Sequence, residues 1–403
     1  LMPAPPILPA TATEDAFANG PFPAARFIKE IGRGADGARA LVKHDARALF
    51  TAMLESRISD VQLGAILMAY RIKGETPEEL DGMLEATHAH CRPLPAPNTP
   101  ELALPVVIPS YNGARRQPNL VPLLAKLLAR EGVPVLVHGI RRFDGRVTTA
   151  ALFEALGWPL CEHMDDARER LERDRLAYVP IDVLSPQLTS LLDKREIVGL
   201  RNSAHTVVKM LQPIGGHAPH EALRLVSYTH PEYRDTLTDY FLRHPANVLL
   251  ARGTEGEAVA DARRGSAVEW LHDGSHETVI EAVEGSSDAP PELPAGTDVA
   301  ATARWIEAVL EGSRCRSRSP SRSARSCGVH DRRRLPDRPP GLTWTAAECA
   351  PFRPARERRR RSPSAAWRLQ CRPYRWRRSS SRCGGGRRSG HRPAASRATT
   401  PAR

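Results

Sequence analysis

The body of this chain has almost no cysteine. Five of the seven cysteines in its 403 residues (Cys315, Cys327, Cys349, Cys371 and Cys383) lie beyond residue 312, leaving only Cys91 and Cys161 before it. Two thiols are too few for a disulfide framework or a four-ligand zinc site. They fit a reducing, cytoplasmic setting. No run of about 18 apolar residues occurs, so no membrane-spanning helix is expected. The opening LMPAPPILPATATEDAF has no basic n-region and makes a poor secretory signal. No zinc finger or helix-turn-helix recognition pattern is visible, which leaves no device for reading bases.

Lysine is missing altogether from residues 313–403. That segment holds 26 Arg and four acids (Asp331, Asp337, Glu348 and Glu357), a net of +22. The first 312 residues therefore carry 32 basic and 42 acidic groups, a net of −10, so the basic balance of the whole chain belongs to its tail. The tail has no apolar periodicity and reads as disordered. One reading is an Arg/Ser-rich arm that binds phosphates. The other is a frameshifted stretch, because Arg without Lys and with scattered Cys is what GC-rich codons give in a wrong frame. Composition favours the frameshift.

Residues 1–25 are rich in Pro and Ala and are expected to be disordered. From Phe27 the spacing turns helical. Leu63, Ile66, Leu67 and Tyr70 share a face, Ser59 or Asp60 is placed to cap it, and Gly74 ends it. Thr76-Pro77-Glu78-Glu79 then opens another helix with a capping Thr, Pro at the first helical position and Glu79 closing a capping box. Residues 26–92 are thus expected to form a small helical bundle. A Pro-rich linker, 93–104, leads into an α/β domain over 105–312.

Pro105–Gly157 reads strand, loop, helix, strand, loop, helix. In parallel α/β sheets, ligands bind at loops leaving the C-terminal ends of strands. Those loops hold Arg115 and Arg116, then His138, Arg141, Arg142 and Arg146. Guanidinium groups clustered on two such loops point to a polyanionic ligand, either a small phosphorylated sugar or a nucleic-acid backbone. For an isolated doublet the plainer reading is solvated surface charge. His217 and His220 have metal-like spacing without an evident carboxylate partner, and DDARERLERDR reads as a solvated helix face.

ALFTAMLESRISDVQLGAILMAYRIKGETPEEL, with the α/β pattern that follows, resembles the helical domain of anthranilate phosphoribosyltransferases and pyrimidine nucleoside phosphorylases. The resemblance spans roughly 25–312. It implies an N-terminal helical dimerisation domain and a larger parallel-sheet, phosphoribosyltransferase-like domain. It also exposes departures. Where the family has a Gly-rich phosphate loop, this chain has Pro109-Ser110-Tyr111-Asn112-Gly113, with Pro109 and Tyr111 expected to crowd a phosphate. The helix that should open with hydroxyl residues opens Asn119-Leu120-Val121-Pro122. The motif at Val137-His138-Gly139-Ile140-Arg141 keeps His138, Gly139 and Arg141 but loses its Lys and Asn. Ala258 and Val259 stand at the carboxylate pair that holds Mg²⁺ in the family, with Glu255 and Glu257 close by as substitutes that the alignment does not favour. Arg201, which approaches the acceptor carboxylate in the family, is retained, and His205 and Lys209 replace an Asn and a Pro.

PSYNGARR, VLVHG and RGTEGE look like the YbiB-type branch of this family, described as nucleic-acid binding on a phosphoribosyltransferase scaffold. That resemblance implies a homodimer, no cofactor, no catalytic residue, and sequence-independent contact with DNA or RNA through Arg115, Arg116, His138, Arg141, Arg142, Arg146, Arg201 and Lys209. Asn112, Gly113, Asn119 and Gly139 remain as family site residues. A transferase with an altered acceptor, which would require Mg²⁺, and a non-catalytic metabolite-binding regulator are the alternatives.

Overall fold

The computed structural model describes residues 22–34, 36–97, 104–261, 263, 265–283 and 292–312. The readings of residues 1–21, of 98–103 and of the arginine-rich tail fall outside the described residues.

Four helices come first: α1 (Ala24–Ile31), α2 (Lys43–Leu54), α3 (Asp60–Lys73) and α4 (Pro77–Ala89). Ala24 and Ala25, placed by composition in the disordered segment, already belong to α1. Ser59 caps α3 by accepting from the Gln62 N–H. Thr76 and Glu79 form the full capping box on α4. Glu79 is wholly buried and does more than cap. It accepts from the Leu41 N–H at 2.9 Å and from Lys73 Nζ at 2.6 Å, so one carboxylate ties the α1–α2 connection to both later helices.

The helical layer is not confined to the N-terminal segment. A seven-stranded sheet follows: β1 (Val106–Ser110), β2 (Val135–Gly139), β3 (Leu176–Pro180), β4 (Leu223–Tyr228), β5 (Asn247–Arg252), β6 (Val268–His272) and β7 (Ser275–Ile280). Helices α5 (Val121–Arg130), α6 (Thr149–Ala155) and α7 (Met164–Arg173) lie between β1 and β3. After β3 come α8 (Ile181–Leu184), α9 (Pro186–Val198) and α10 (Ala204–Val207). Leu188, Leu191 and Leu192 of α9 are buried in the same core as Leu49, Phe50 and Met53 of α2. Ser185 caps α9, Pro186 opens it and Gly199 ends it with φ +76°. Two further helices, α11 (Pro231–Arg243) and α12 (Val299–Leu310), complete the α/β part.

Strand order is β3-β2-β1-β4-β5-β6-β7. Pairing is parallel from β3 through β5. Both faces of this central part are buried, as its apolar runs require. Val107, Leu136 and Val226 face the core shared with the helical layer. Val106, Ile108, Val135 and Val137 face α5 and α6. The sheet departs from all-parallel at one end, where β6 and β7 add antiparallel strands. Asp273 (φ +47°) and Gly274 (φ +74°) form the two-residue turn that folds β7 back along β6.

Candidate anion-binding cleft

The strand order reverses between β1 and β4, because the chain winds outward to β3 and then restarts on the other side of β1. Loops leaving adjacent strands part at such a point and open a crevice at the strand C-termini. Here the crevice is about 820 Å³. Its floor comes from the loops after β1, β4 and β5, and its walls from the ends of α3 and α9.

Seven cationic side chains line it: Arg71, Arg115, Arg116, Arg146, Arg195, Arg201 and Lys209. Among the described residues, Arg146, Arg195, Arg201 and Lys209 make no ion pair with a carboxylate, and one buried guanidinium nitrogen of Arg195, Nη1, has no hydrogen-bond partner. Phe143 helps hold the first two. The Arg195 guanidinium lies 4.3 Å from the ring centre and that of Arg146 lies 5.5 Å from it. Burial pushes Arg201 down to about 10, with Arg195 and Arg146 adding repulsion. Burial also lowers Lys209 to about 8, helped by Arg201, and lowers His205 to about 3, helped by Arg201 and Arg195. Charges arranged so that each disfavours its neighbour favour an incoming anion. Tyr70, Tyr228 and Tyr233 supply the aromatic part of the lining.

The loop after β1 is engaged from inside the protein. Glu257, 1% exposed, accepts from the Asn112 N–H at 2.9 Å, the Gly113 N–H at 2.6 Å and the Ser110 hydroxyl at 2.6 Å. Glu255 accepts from the backbone N–H groups of Arg115 (2.5 Å) and Arg116 (2.9 Å). Tyr111 does not crowd this loop. Its ring turns into the core, where its hydroxyl pairs with His138 Nδ1 at 2.5 Å. The occupant is Glu257.

Several expected site residues lie elsewhere. His138 is fully buried in β2, outside the cleft lining, where burial lowers it to about 3. Gly139 is small because a Cβ would strike the Ser110 carbonyl and the Tyr178 hydroxyl. Asn119 is buried, donating to Thr149 Oγ1 and accepting from the Val121 N–H at the start of α5. Asn112 is buried and donates to the Gly256 carbonyl at 2.7 Å. Arg141 is held by Glu162 and Asp182, both at 3.1 Å, and Arg142 is exposed outside the cleft lining. The reason is topological. The loop after β2 begins over β2 and β3, one strand away from the reversal. It returns only where Ala114 and Val147 exchange backbone hydrogen bonds, and that brings Arg146 alone to the cleft. Arg71 and Arg195 were not legible as site residues. Arg195 sits within DKRE in the last turn of α9, a pattern that reads as solvated charge.

The family's Mg²⁺ does not fit this donor set. Ala258 and Val259 offer no ligating side chain, and Glu255 and Glu257 direct their oxygens at N–H donors. His217 and His220 do not converge: the first stacks on His88 with centroids 4.4 Å apart, the second lies 3.6 Å from Asp273.

Residues 25–91 match the helical bundle domain of the glycosyl transferase family. The uncharacterized protein YbiB of Escherichia coli K12 is 40% identical over 289 residues, covering 72% of this chain and 88% of that protein. The anthranilate phosphoribosyltransferase of Gluconobacter oxydans is 30% identical over 176 residues, covering 44% and 47%. Among solved structures, the anthranilate phosphoribosyltransferase of Thermus thermophilus superimposes with a TM-score of 0.56 at 23% identity, over 71% of this chain and 82% of that one. The Saccharomyces cerevisiae enzyme in complex with PRPP and Mg gives 0.54 at 14% identity, over 72% and 81%. These two likenesses are of fold.

Proposed function

Because the chain belongs to the glycosyltransferase family that holds YbiB and the anthranilate phosphoribosyltransferases, we propose that it uses this scaffold to bind nucleic acid without sequence preference, not to transfer a ribosyl group. The carrying observation is the set of cations at Arg146, Arg195, Arg201 and Lys209, which make no ion pair among the described residues, beside a phosphate loop already filled by Glu257. Cations in a groove track a phosphate backbone, and Tyr228 and Tyr233 offer faces for unpaired bases. Phosphate contacts position a strand without reading it. The body's net charge of −10 is overcome locally, by seven cationic against three acidic side chains (Glu75, Glu232 and Glu255) in the cleft.

A homodimer belongs to the same proposal. Val61, Met68 and Ile72 are exposed along one side of α3, and Ile197 and Leu200 are exposed at the end of α9. The two helices are neighbours, with Lys194 of α9 lying 3.9 Å from Asp60 of α3. A second copy would cover this apolar stripe.

The deciding experiment measures binding of unrelated single-stranded and duplex oligonucleotides over a range of salt. Similar affinities across sequences, with a steep fall as salt rises, support the proposal. A cleft of this size also suits a small phosphorylated ligand. Competition by ribosyl phosphates with no oligonucleotide binding would move the metabolite-sensor or altered-acceptor transferase reading ahead.

A further inference from the structure

Two backbone N–H groups pointing into one concavity form a nest for an anionic group. Gly113, at φ +63°, turns its N–H alongside that of Asn112, and the Ser110 hydroxyl completes the concavity. Thr149 is placed to donate to Ser110 Oγ at 2.7 Å and Asn119 to donate to Thr149, so the hydroxyl is oriented by a buried relay. What fills this nest comes from a turn 144 residues later in the chain. That turn is shaped to deliver it. Glu255 and Gly256 both have positive φ (+52° and +89°), Thr254 and Glu257 bridge across it, and the Gly256 carbonyl receives Asn112 Nδ2 at 2.7 Å and Lys209 Nζ at 3.3 Å. A Cβ on Gly256 would overlap the Asn112 amide.

We propose that Glu257 is a built-in occupant of a phosphate-sized anion nest, and that it sets ligand choice by keeping small phosphates out of the inner cleft while the outer cations stay open. Without its side chain, the Asn112 and Gly113 N–H groups and the Ser110 hydroxyl would face an empty space beside Lys209. Two N–H donors, a hydroxyl and an ammonium suit a tetrahedral oxyanion, either inorganic phosphate or a phosphomonoester. The inference does not rest on the nucleic-acid reading, and its test reads phosphate alone.

The test is thermal unfolding of the full chain and of its Glu257→Ala and Glu257→Gln variants against inorganic phosphate, with chloride at matched ionic strength as control. Glu257→Ala should melt below the parent without phosphate, because it leaves buried N–H groups unpaired. Its Tm should then rise by about 3 °C per tenfold of phosphate above the dissociation constant, saturating as a site does. The parent and Glu257→Gln, whose nests stay filled, should gain less over the same range. An alanine variant that gains no more than the glutamine variant overturns the proposal. Should Glu257→Ala not fold in chloride, refolding with phosphate should raise its soluble, folded yield, and an unchanged yield also overturns the proposal.

Discussion

The Arg195 guanidinium lies 4.3 Å over the ring of Phe143, a residue of the loop after β2, although Arg195 itself is on α9 of the helical layer. That stack joins two layers at the mouth of the cleft and leaves one nitrogen of Arg195 without a hydrogen-bond partner. Changing Arg195 and Arg201 together to Ala should weaken oligonucleotide binding equally across unrelated sequences. It should also flatten the log affinity against log salt by about one unit per lost phosphate contact. The Arg141→Ala, Arg142→Ala pair should leave that slope unchanged, because Arg141 already serves Glu162 and Asp182 and Arg142 lies outside the cleft. Comparing full-length variants cancels whatever the tail contributes. An unchanged slope for the Arg195, Arg201 pair would remove the cleft from the binding surface.

Lys209 gives the cleft a pH dependence. Burial, with Arg201 adding to it, lowers Lys209 to about 8. It is therefore cationic at pH 7 and largely neutral at pH 9. Affinity for a phosphate polymer should fall as pH rises through 8, and Lys209→Met should be weaker at pH 7 and flat across that window. Titration of the parent and the variant between pH 7 and 9 checks it.

Stability should fall in acid for a separate reason. Burial lowers His88 and His138 to about 3, below the ordinary 6.5. Between those values the unfolded chain takes up protons that the folded chain does not. Stability is therefore complete above pH 6.5 and declines as pH falls toward 3, by up to about 1.4 kcal/mol per pH unit for each such histidine. His138→Gln should reduce the slope of stability against pH between 6 and 5, as denaturant melts would show.

Removing Glu79 should be severe. Glu79→Ala deletes the capping box on α4, leaves Lys73 buried without its carboxylate and frees the Leu41 N–H. A loss of about 3–5 kcal/mol is expected in urea unfolding, against a smaller one for Glu79→Gln.

Turnover is the remaining check. With Glu257 in the phosphate loop and Ala258-Val259 where the carboxylate pair would stand, no anthranilate phosphoribosylation above background is expected from phosphoribosyl pyrophosphate and Mg²⁺. Steady product formation would restore the transferase reading.

The helix caps at Ser59 and Thr76 and the first two strands of the central sheet were legible in the sequence, because cap chemistry and hydrophobic patterning act over a few residues. The β6–β7 hairpin had a local signal too, in Asp273-Gly274, far from the motifs that carry the family resemblance. The cleft was legible only in part. Arg115, Arg116, Arg146, Arg201 and Lys209 reach it, whereas Arg141 shares a loop with Arg146 and does not. Which side of a loop meets the strand-order reversal depends on the Ala114–Val147 pairing, and spacing along the chain does not encode that. Arg195 enters through the placement of α9, which is set by leucines buried against α2.

That placement divides the cleft's charge between two bodies. Arg71 and Arg195 ride on helices of one layer, while Arg115, Arg116 and Arg146 are fixed to loops of the sheet. A tilt of one layer against the other changes the distance between the two groups of charge and so the spacing of phosphates they match. On the proposed function, a strand held by both groups of charge would brace the seam between the layers.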